Sequence, residues 1–250
     1  MNNPIKEVEF LRVHSIETFG THDGPGIRLV VFVQGCQFRC LYCANPDTLP
    51  TKAGKLITLD EIVKKAENQM PYFGKQGGVT ISGGEPLLQR EAILQLFEKL
   101  RQLGIHTALD SNGRLLDEAA KKLMDTTDLL LLDVKHIDNQ WHKRLTSVGN
   151  QNVLKVGAYR EATGKPMWLR YVLVPGWSDQ PEYLHLLGQH FEHYQTIEKI
   201  EIQPFHQLGK HKWEALGKEY KLADVPPASP ETVAMAKEIF EQYFKEVKVN

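Results

Sequence analysis

The sequence is poor in cysteine. Its 250 residues contain three, all within one short segment that reads Gly35-Cys36-Gln37-Phe38-Arg39-Cys40-Leu41-Tyr42-Cys43. An odd number of cysteines cannot pair off completely as disulfides, and this concentration argues against a disulfide-stabilised scaffold. The sequence also lacks a strong net charge, since the formal value is -1. No broad basic surface is therefore available to attract nucleic acid, and we expect no nucleic-acid partner.

Long apolar runs are absent as well. No window approaches the ~20 apolar residues that a membrane-spanning helix requires, so we expect no membrane partner. The first ten residues, MNNPIKEVEF, lack the apolar run of a signal peptide. Clustered free cysteines without an export signal predict a reducing, cytoplasmic location. Hydrophobic residues make up 42% of the chain, which is enough for a packed core.

Strand-like and helix-like patterns alternate about six times along the chain. An apolar run at 27–33, rich in β-branched residues, predicts a strand that is buried on both faces, and further strands are predicted at 78–82 and at the four leucines 129–132. Amphipathic helices are predicted between the strands, including one at 58–70 that Pro71 ends. Such alternation implies parallel strands with right-handed crossovers. We therefore predict an α/β fold, an open partial (β/α)6 TIM-like barrel with N-terminal and C-terminal extensions, whose last strand is 197–202.

The predicted strands end in polar or glycine residues, which are Cys36, Gly83, Gly84, Glu85, Asp110, Ser111, Asn112, Asp133, Lys135 and His206, while Arg170 lies within a strand. Sites in such barrels form at the C-terminal ends of the strands, so we expect one polar ring. Singly, each residue also has an ordinary structural explanation. Gly83-Gly84 can be a tight turn, Asp133 and Lys135 can form a plain ion pair on one strand face, and His206 can be structural.

The cysteines follow the spacing Cys-x3-Cys-x2-Cys, which can surround one small metal centre. A structural zinc site needs four protein ligands, so these thiolates do not complete one. Thiolates are the usual ligands of iron–sulfur clusters, and three of them would leave one iron of a 4Fe–4S cluster open. The alternative is a zinc or redox-sensor site with a distant fourth ligand, such as His14 or His22.

The cysteine spacing, with an aromatic residue just before the last cysteine, resembles the signature of the radical S-adenosylmethionine (SAM) enzymes. The likeness extends to the glycyl-radical-enzyme activases, and among them to the pyruvate formate-lyase-activating family. It is carried by segments 23–28, 82–85, 110–113, 132–135, 168–179 and 203–213. No cysteine follows Cys43, whereas activases for other targets commonly carry a cysteine-rich insert. The resemblance implies one radical SAM domain over 1–250, with its core at about 14–206 and a C-terminal cover and helix at about 207–250.

The resemblance also implies a chemistry. SAM would be cleaved reductively at one 4Fe–4S cluster bound by Cys36, Cys40 and Cys43. The resulting 5′-deoxyadenosyl radical would abstract hydrogen from a backbone glycine of pyruvate formate-lyase. Reduced flavodoxin or ferredoxin would supply the electron, and the chain would act as a monomer.

Roles for individual residues come with the resemblance. SAM would contact Tyr42, Cys43, Ala44, Gly83, Gly84, Glu85, Asp133, Val134, Lys135 and His206. A catalytic set would consist of Asp23 near the partner's glycine loop, Lys135 and Arg170. A monovalent cation would lie at Asp110, Ser111 and Asp133. Position 44 is alanine where relatives often have histidine, so a side-chain contact from that residue is absent, although a backbone contact could survive.

Three other functions stay open. The chain could activate another glycyl-radical enzyme, or catalyse a different radical SAM reaction on a small molecule or peptide, since fold alone does not fix the reaction. It could also be a non-catalytic metal or electron carrier. A carrier would need neither the Gly83-Gly84 turn nor the Asp133–Lys135 pair.

Overall fold

The computed structural model describes residues 9–250. Across these residues the strands are β1 (Phe10–Gly20), β2 (Arg28–Val33), β3 (Lys55–Thr58), β4 (Gly78–Gly83), β5 (His106–Ser111), β6 (Leu129–Asp133), β7 (Met167–Leu173), β8 (Ile197–Pro204) and β9 (Val247–Val249). The helices are α1 (Leu59–Phe73), α2 (Arg90–Gln102), α3 (Glu118–Thr126), α4 (Asn139–Thr146), α5 (Gln151–Thr163), α6 (Pro181–Phe191), α7 (Lys210–Ala215) and α8 (Pro230–Phe240).

All the strands of the described chain belong to one sheet, in the order β3-β1-β2-β4-β5-β6-β7-β8-β9. The six strands β2, β4, β5, β6, β7 and β8 form a parallel set, in which each strand is parallel to the next. β1 pairs antiparallel with β2 and β3 at one edge, and β9 continues the parallel set beyond β8. The two edges do not pair with each other. The prediction of an open α/β barrel with N-terminal and C-terminal extensions is therefore confirmed.

Side chains alternate between the two faces of these strands. Val31, Ile81 and Leu109 are buried in the main hydrophobic core, together with helix residues such as Ile93 and Phe97. Because the side-chain period of a strand is two, the residues between these apolar positions face the opposite side of the sheet. That alternation places the predicted polar residues of the middle strands on the inner face of the partial barrel.

Three sequence predictions about elements were wrong in detail. Residues 197–202 are not the last strand, because Val247–Val249 adds β9. Pro71 does not end its helix, since α1 continues to Phe73. In that last turn the proline removes one backbone donor, which a helix end tolerates more easily than a helix middle. The sequence also predicts a first strand at 9–14, and in the structure this strand is longer, because β1 runs to Gly20 through two register irregularities.

Arg28 is fully buried at the start of β2. Its Nη2 donates a hydrogen bond to the Val79 carbonyl at 2.8 Å, and its Nη1 donates to the Pro25 carbonyl at 3.1 Å. Its Nε donates to Thr80 Oγ1, which in turn donates to the Asp23 carbonyl at 2.6 Å. Burial lowers the pKa of Arg28 to about 10, which still leaves it charged at neutral pH. The guanidinium thus fixes the β1–β2 connection, including the Asp23 backbone, to Val79 and Thr80 of β4.

We expect Arg28→Met to lower the free energy of unfolding of the metal-free protein by about 3 kcal/mol, because several buried carbonyls lose their donor. Urea unfolding followed by circular dichroism measures the loss. The matched control is Arg90→Met, because Arg90 pairs with the half-exposed Asp117 at 2.8 Å and should contribute about 1 kcal/mol or less. Equal losses in the two variants would contradict the role given to Arg28.

Candidate active site

A cavity of about 290 Å³ lies where the parallel strands end, and all three cysteines line it. The structure brings most of the predicted residues to this cavity, namely Asp23, Tyr42, Ala44, Gly83, Gly84, Asp110, Asp133, Lys135, Arg170 and His206. Glu85, Ser111 and Val134 are not among its lining residues. Asn45 and Gln203, for which the sequence predicted no role, also line it, as does Asn112, which was predicted only as part of the polar ring.

The cysteine loop follows β2 and is held by its backbone. The N–H groups of Arg39 and Leu41 donate to the carbonyls of Thr146 and Leu145, both at 2.9 Å. These carbonyls belong to the last turn of α4, where helix carbonyls lack partners within the helix. The end of α4 therefore fixes the backbone on both sides of Cys40.

The three thiols form no disulfide. Burial raises the pKa of Cys36 to about 12 and also raises the pKa of Cys40 and Cys43. Thiolates in this position therefore need nearby positive charge, which bound metal supplies. Between residues 9 and 250, no three His, Cys, Asp or Glu side chains are placed to hold a single metal ion. Three thiols around one cavity instead fit a larger group, and thiolate donors suit an iron–sulfur cluster.

The zinc alternative finds no support in the position of His14. Its Nε2 lies 3.0 Å from an Asp47 carboxylate oxygen, and its Nδ1 lies 2.9 Å from the Ser15 hydroxyl. Both ring nitrogens therefore have hydrogen-bonding partners other than a metal. His22, the other suggested ligand, contributes its backbone carbonyl to Arg170.

The turn after β4 approaches the cysteine loop closely. A Cβ added to Gly84 would lie 2.1 Å from the Gly35 carbonyl oxygen, and Gly83 has a φ of 106°. Only glycine satisfies both conditions without strain. The Glu85 N–H then donates to the same Gly35 carbonyl at 2.7 Å. The two glycines thus have a packing role as well as backbone groups beside the cavity.

Glu85 is fully buried and binds the end of β5. One carboxylate oxygen accepts hydrogen bonds from the Leu87 N–H at 2.9 Å and the Ser111 hydroxyl at 2.7 Å. The other accepts from the Asn112 N–H at 2.8 Å. Burial raises the pKa of Glu85 to about 7, against the opposing effect of these donors. Glu85 and Ser111 therefore connect the ends of β4 and β5. Val134, another predicted SAM contact, donates its N–H to the Arg170 carbonyl at 3.0 Å.

Arg170 is the shared cation of three carboxylates. Its Nη1 lies 3.1 Å from Asp110 and 3.7 Å from Asp23, and its Nε lies 3.1 Å from Glu201. Its Nη2 also donates to the His22 carbonyl. Burial alone would lower the pKa of Arg170, but these carboxylates raise it above its usual value. The side chain therefore remains charged and links β5, β8 and the β1–β2 connection.

Asp110 has one engaged and one free carboxylate oxygen. Its Oδ2 accepts from the Ser82 hydroxyl at 2.7 Å, whereas the buried Oδ1 has no hydrogen-bonding partner in the described part of the chain. Burial raises the pKa of Asp110 to about 6, opposed by Arg170. A carboxylate oxygen in this position suits a bound cation.

Asp133 and Lys135 form an ion pair at 2.6 Å beside the cysteines. The Lys135 ammonium also lies 5.7 Å from the centre of the Tyr42 ring. Burial by itself would lower the pKa of Lys135, but Asp133, Tyr42 and Cys40 raise it well above its usual value. The cavity therefore presents a fixed positive and a fixed negative charge next to each other.

A segment after β8 covers the tip of the cysteine loop. The Trp213 indole Nε1 donates to the Cys43 carbonyl at 2.8 Å, and Lys212 Nζ donates to Asn45 Oδ1 at 2.7 Å. Gly209 packs so tightly that an added Cβ would lie 2.6 Å from the Ala44 Cα. Sequence patterns gave no signal for these contacts, because they join residues more than 160 positions apart.

Comparison with known proteins agrees with this geometry. Residues 30–187 match the Radical SAM superfamily. The chain is 44% identical over 235 residues to the "Pyruvate formate-lyase 1-activating enzyme" of Escherichia coli strain K12, covering 93% of this chain and 96% of that protein. It is 44% identical over 232 residues to the "Pyruvate formate-lyase-activating enzyme" of Staphylococcus aureus strain USA300, covering 90% and 92%.

This chain belongs to the pyruvate formate-lyase-activating enzymes of the radical SAM superfamily. A solved domain of such an enzyme from Bacteroides vulgatus matches with a TM-score of 0.59 and 25% identity, over 70% of this chain and 99% of that one. Streptococcus suis SuiB bound to its precursor peptide matches with a TM-score of 0.67 over 89% of this chain and 48% of that one, and at 17% identity it shows the fold alone. Membership of this family confirms the predicted cofactors, a 4Fe–4S cluster and SAM.

Within residues 9–250, this chain has no helix that is long and apolar enough to cross a membrane. Its three predicted cluster ligands lie together at the cavity, although their role as ligands is still a prediction.

We expect Arg170→Met to lower the free energy of unfolding of the metal-free enzyme by about 3–5 kcal/mol, because three carboxylates then lose their shared buried cation. Chemical denaturation under anaerobic conditions gives the value. Lys248→Met provides the control, since Lys248 lies 3.8 Å from the same Glu201 but is 41% exposed. The control should lose about 1 kcal/mol or less. A neutral Arg170→Met would show that this cluster of charges contributes little to folding.

Proposed function

We propose that this chain activates pyruvate formate-lyase by generating a glycyl radical on it. The observation that carries the proposal is the position of three unpaired thiols on one cavity that also contains the Asp133–Lys135 pair. An electron carrier needs the thiols but not the pair. The names of the E. coli and S. aureus relatives support the choice of partner, since those proteins are activating enzymes of pyruvate formate-lyase.

Cys36, Cys40 and Cys43 would hold the cluster, each as a thiolate. When bound, the cluster supplies the electron that cleaves SAM into methionine and a 5′-deoxyadenosyl radical, which takes hydrogen from the partner's glycine. The chain's own contribution is to keep the thiols in one place. The hydrogen bonds from Arg39 and Leu41 to the end of α4 do this on either side of Cys40.

Asp133 and Lys135 would bind the amino-acid end of SAM. That end carries an ammonium and a carboxylate, and the pair offers one charge of each sign at a separation of 2.6 Å. Lys135 suits a carboxylate as a point charge, and Asp133 suits an ammonium or the ribose hydroxyls. The backbone of Gly83 and Gly84 lies on the same cavity and is open to close approach by the ammonium.

Adenine would lie between Tyr42 and His206, both of which line the cavity. Aromatic side chains present flat apolar faces that suit a purine ring. Ala44 lies beside them, and with its methyl group it can contribute only packing and its backbone groups. Alanine in place of histidine at position 44 would therefore change the contacts beside the adenine ring and leave the three cysteine ligands unaffected.

Asp23 and Arg170 would receive the glycine loop of the partner. Both line the cavity, and their side chains lie 3.7 Å apart. A peptide backbone offers one donor and one acceptor per residue, so a carboxylate and a guanidinium can each bind it. Arg28 would act indirectly by holding the Asp23 backbone through Thr80.

The proposal extends to a monovalent cation at Asp110 and Asp133. Its support is the unpartnered, buried Oδ1 of Asp110. Ser111 would be the third ligand, because its hydroxyl donates to Glu85 and accepts from the Gly113 N–H at 3.0 Å, which leaves one lone pair for a cation. We further propose reduced flavodoxin or ferredoxin as electron donor, a monomeric enzyme and a cytoplasmic location. The three unpaired thiols support a reducing compartment.

Electron paramagnetic resonance tests the proposed reaction. The reconstituted enzyme is mixed anaerobically with purified pyruvate formate-lyase, SAM and a reductant. The expected result is the doublet of a carbon-centred radical on pyruvate formate-lyase. The control is pyruvate formate-lyase with its radical-bearing glycine replaced by alanine, which should give no doublet.

Two outcomes would contradict the proposal. Release of 5′-deoxyadenosine without a radical on pyruvate formate-lyase would favour another radical SAM reaction or another glycyl-radical target. No 5′-deoxyadenosine from a fully loaded cluster would favour a carrier.

We expect Asp133→Asn to weaken SAM binding about tenfold or more while the iron content stays unchanged, because a charged hydrogen-bonding partner is lost. Titration of SAM against the spectrum of the reduced cluster measures the affinity. Asp125→Asn is the control, because Asp125 accepts from the Tyr159 hydroxyl away from the cavity. If both variants bind SAM as the wild type does, Asp133 serves only as the partner of Lys135.

A further inference from the structure

The side-chain amide of Asn112 lies against the sulfur of Cys36. Its Nδ2 donates to Cys36 Sγ across 3.7 Å, a suitable distance for an acceptor as large as sulfur. Asn112 is only 6% exposed and lines the same cavity as the thiols. From the sequence, Asn112 is predicted at a strand end in the polar ring, without a function of its own.

The orientation of this amide is fixed by a second hydrogen bond. Asn112 Oδ1 accepts from the Arg114 N–H at 3.1 Å, in the pattern of an Asx turn. A backbone N–H requires an acceptor, so the amide oxygen must face Arg114. The NH2 group must then face the sulfur.

Both partners of the N–H···S contact are anchored to the same residue. The Asn112 N–H donates to one carboxylate oxygen of Glu85 at 2.8 Å. On the other side, the Glu85 N–H donates to the carbonyl of Gly35 at 2.7 Å, and Gly35 immediately precedes Cys36. The buried Glu85 therefore holds the amide and the sulfur at a set separation. The distance between the Asn112 amide and the Cys36 sulfur is therefore held nearly constant.

We propose that Asn112 is a positioning residue that raises the reduction potential of the cluster through its N–H···S hydrogen bond to Cys36. The proposal rests on the proposed role of Cys36 as a cluster ligand. One-electron reduction places negative charge on the cluster and its thiolates without moving a proton. A donor aimed at one thiolate stabilises that reduced state more than the oxidised state.

The consequence concerns the supply of electrons. The electron comes from an external one-electron carrier, and a higher cluster potential makes that transfer more favourable. Burial of the site has the opposite effect, because it disfavours added negative charge. The hydrogen bond from Asn112 to Cys36 thus offsets part of the lowering of the reduction potential that burial causes.

Two substitutions distinguish the effect of the hydrogen bond to Cys36 from the effect of the turn at Arg114. Asn112→Leu removes both the donor to Cys36 and the acceptor for Arg114. Asn112→Asp keeps an acceptor for Arg114 and replaces the donor with an oxygen that repels the thiolate. In both variants we expect full iron and sulfide content and a midpoint potential more negative than that of the wild type. At a fixed solution potential the ratio of reduced to oxidised cluster should fall about tenfold, which for one electron is ~59 mV.

The measurement is a redox titration of the reconstituted enzyme, followed by electron paramagnetic resonance, without SAM and without pyruvate formate-lyase. Its result is therefore independent of whether the chain activates that partner. The control is Asn152→Ala, because Asn152 Nδ2 donates to the Arg114 carbonyl at 2.8 Å and steadies the same loop without contacting sulfur. Its midpoint should match that of the wild type. Asn112→Ser, whose hydroxyl can still donate, should give an intermediate value.

Three results would overturn the proposal. The first is an unchanged midpoint in Asn112→Leu and Asn112→Asp with intact clusters. The second is an equal shift in Asn152→Ala, which would trace the effect to movement of the loop. The third is failure of all three Asn112 variants to load iron, which would make the residue a folding element of the loop.

Discussion

Three thiol groups line one cavity, Cys36 buried and the other two half-buried, and each ionises readily only beside positive charge. Burial raises the pKa of Cys36 to about 12 and raises those of its two neighbours, so the metal-free site favours neutral thiols. Lys135 opposes this effect but is already paired with Asp133 at 2.6 Å. Bound iron would therefore supply most of the compensating charge, and the site is arranged to hold it. Backbone hydrogen bonds to the end of α4 fix the loop around Cys40.

On the rest of the inner face, acidic side chains pair with the buried Arg170. The alternation of side chains along parallel strands places Asp110, Asp133 and Arg170 on the same face of the sheet. In the strand register Asp133 lies beside Arg170, and Arg170 lies beside Glu201. Opposite charges from neighbouring strands thus meet in the interior, and Asp23 from the β1–β2 connection joins them. The outer faces of the same strands are apolar and pack against the helices, which keeps the polar face in position.

The open barrel and the ring of strand-end residues could be predicted from the sequence, because both depend on local patterns. Each parallel strand contributes an apolar run, and polar residues follow it directly. The short strand Val247–Val249 escaped prediction because three residues carry no usable period. The roles of Glu85 and Trp213 were also hidden. Glu85 binds residues 26 and 27 positions away, and Trp213 binds the Cys43 carbonyl 170 positions away, so only the folded chain reveals these contacts.

The central claim is that three thiolates leave one iron of a four-iron cluster open to SAM. Mössbauer spectroscopy of the 57Fe-reconstituted enzyme, recorded with and without SAM, tests it most directly. The account predicts four irons per chain, one of which changes its isomer shift when SAM binds while the other three stay the same. A spectrum in which SAM alters no iron, or a preparation that holds a single metal ion per chain, would contradict it.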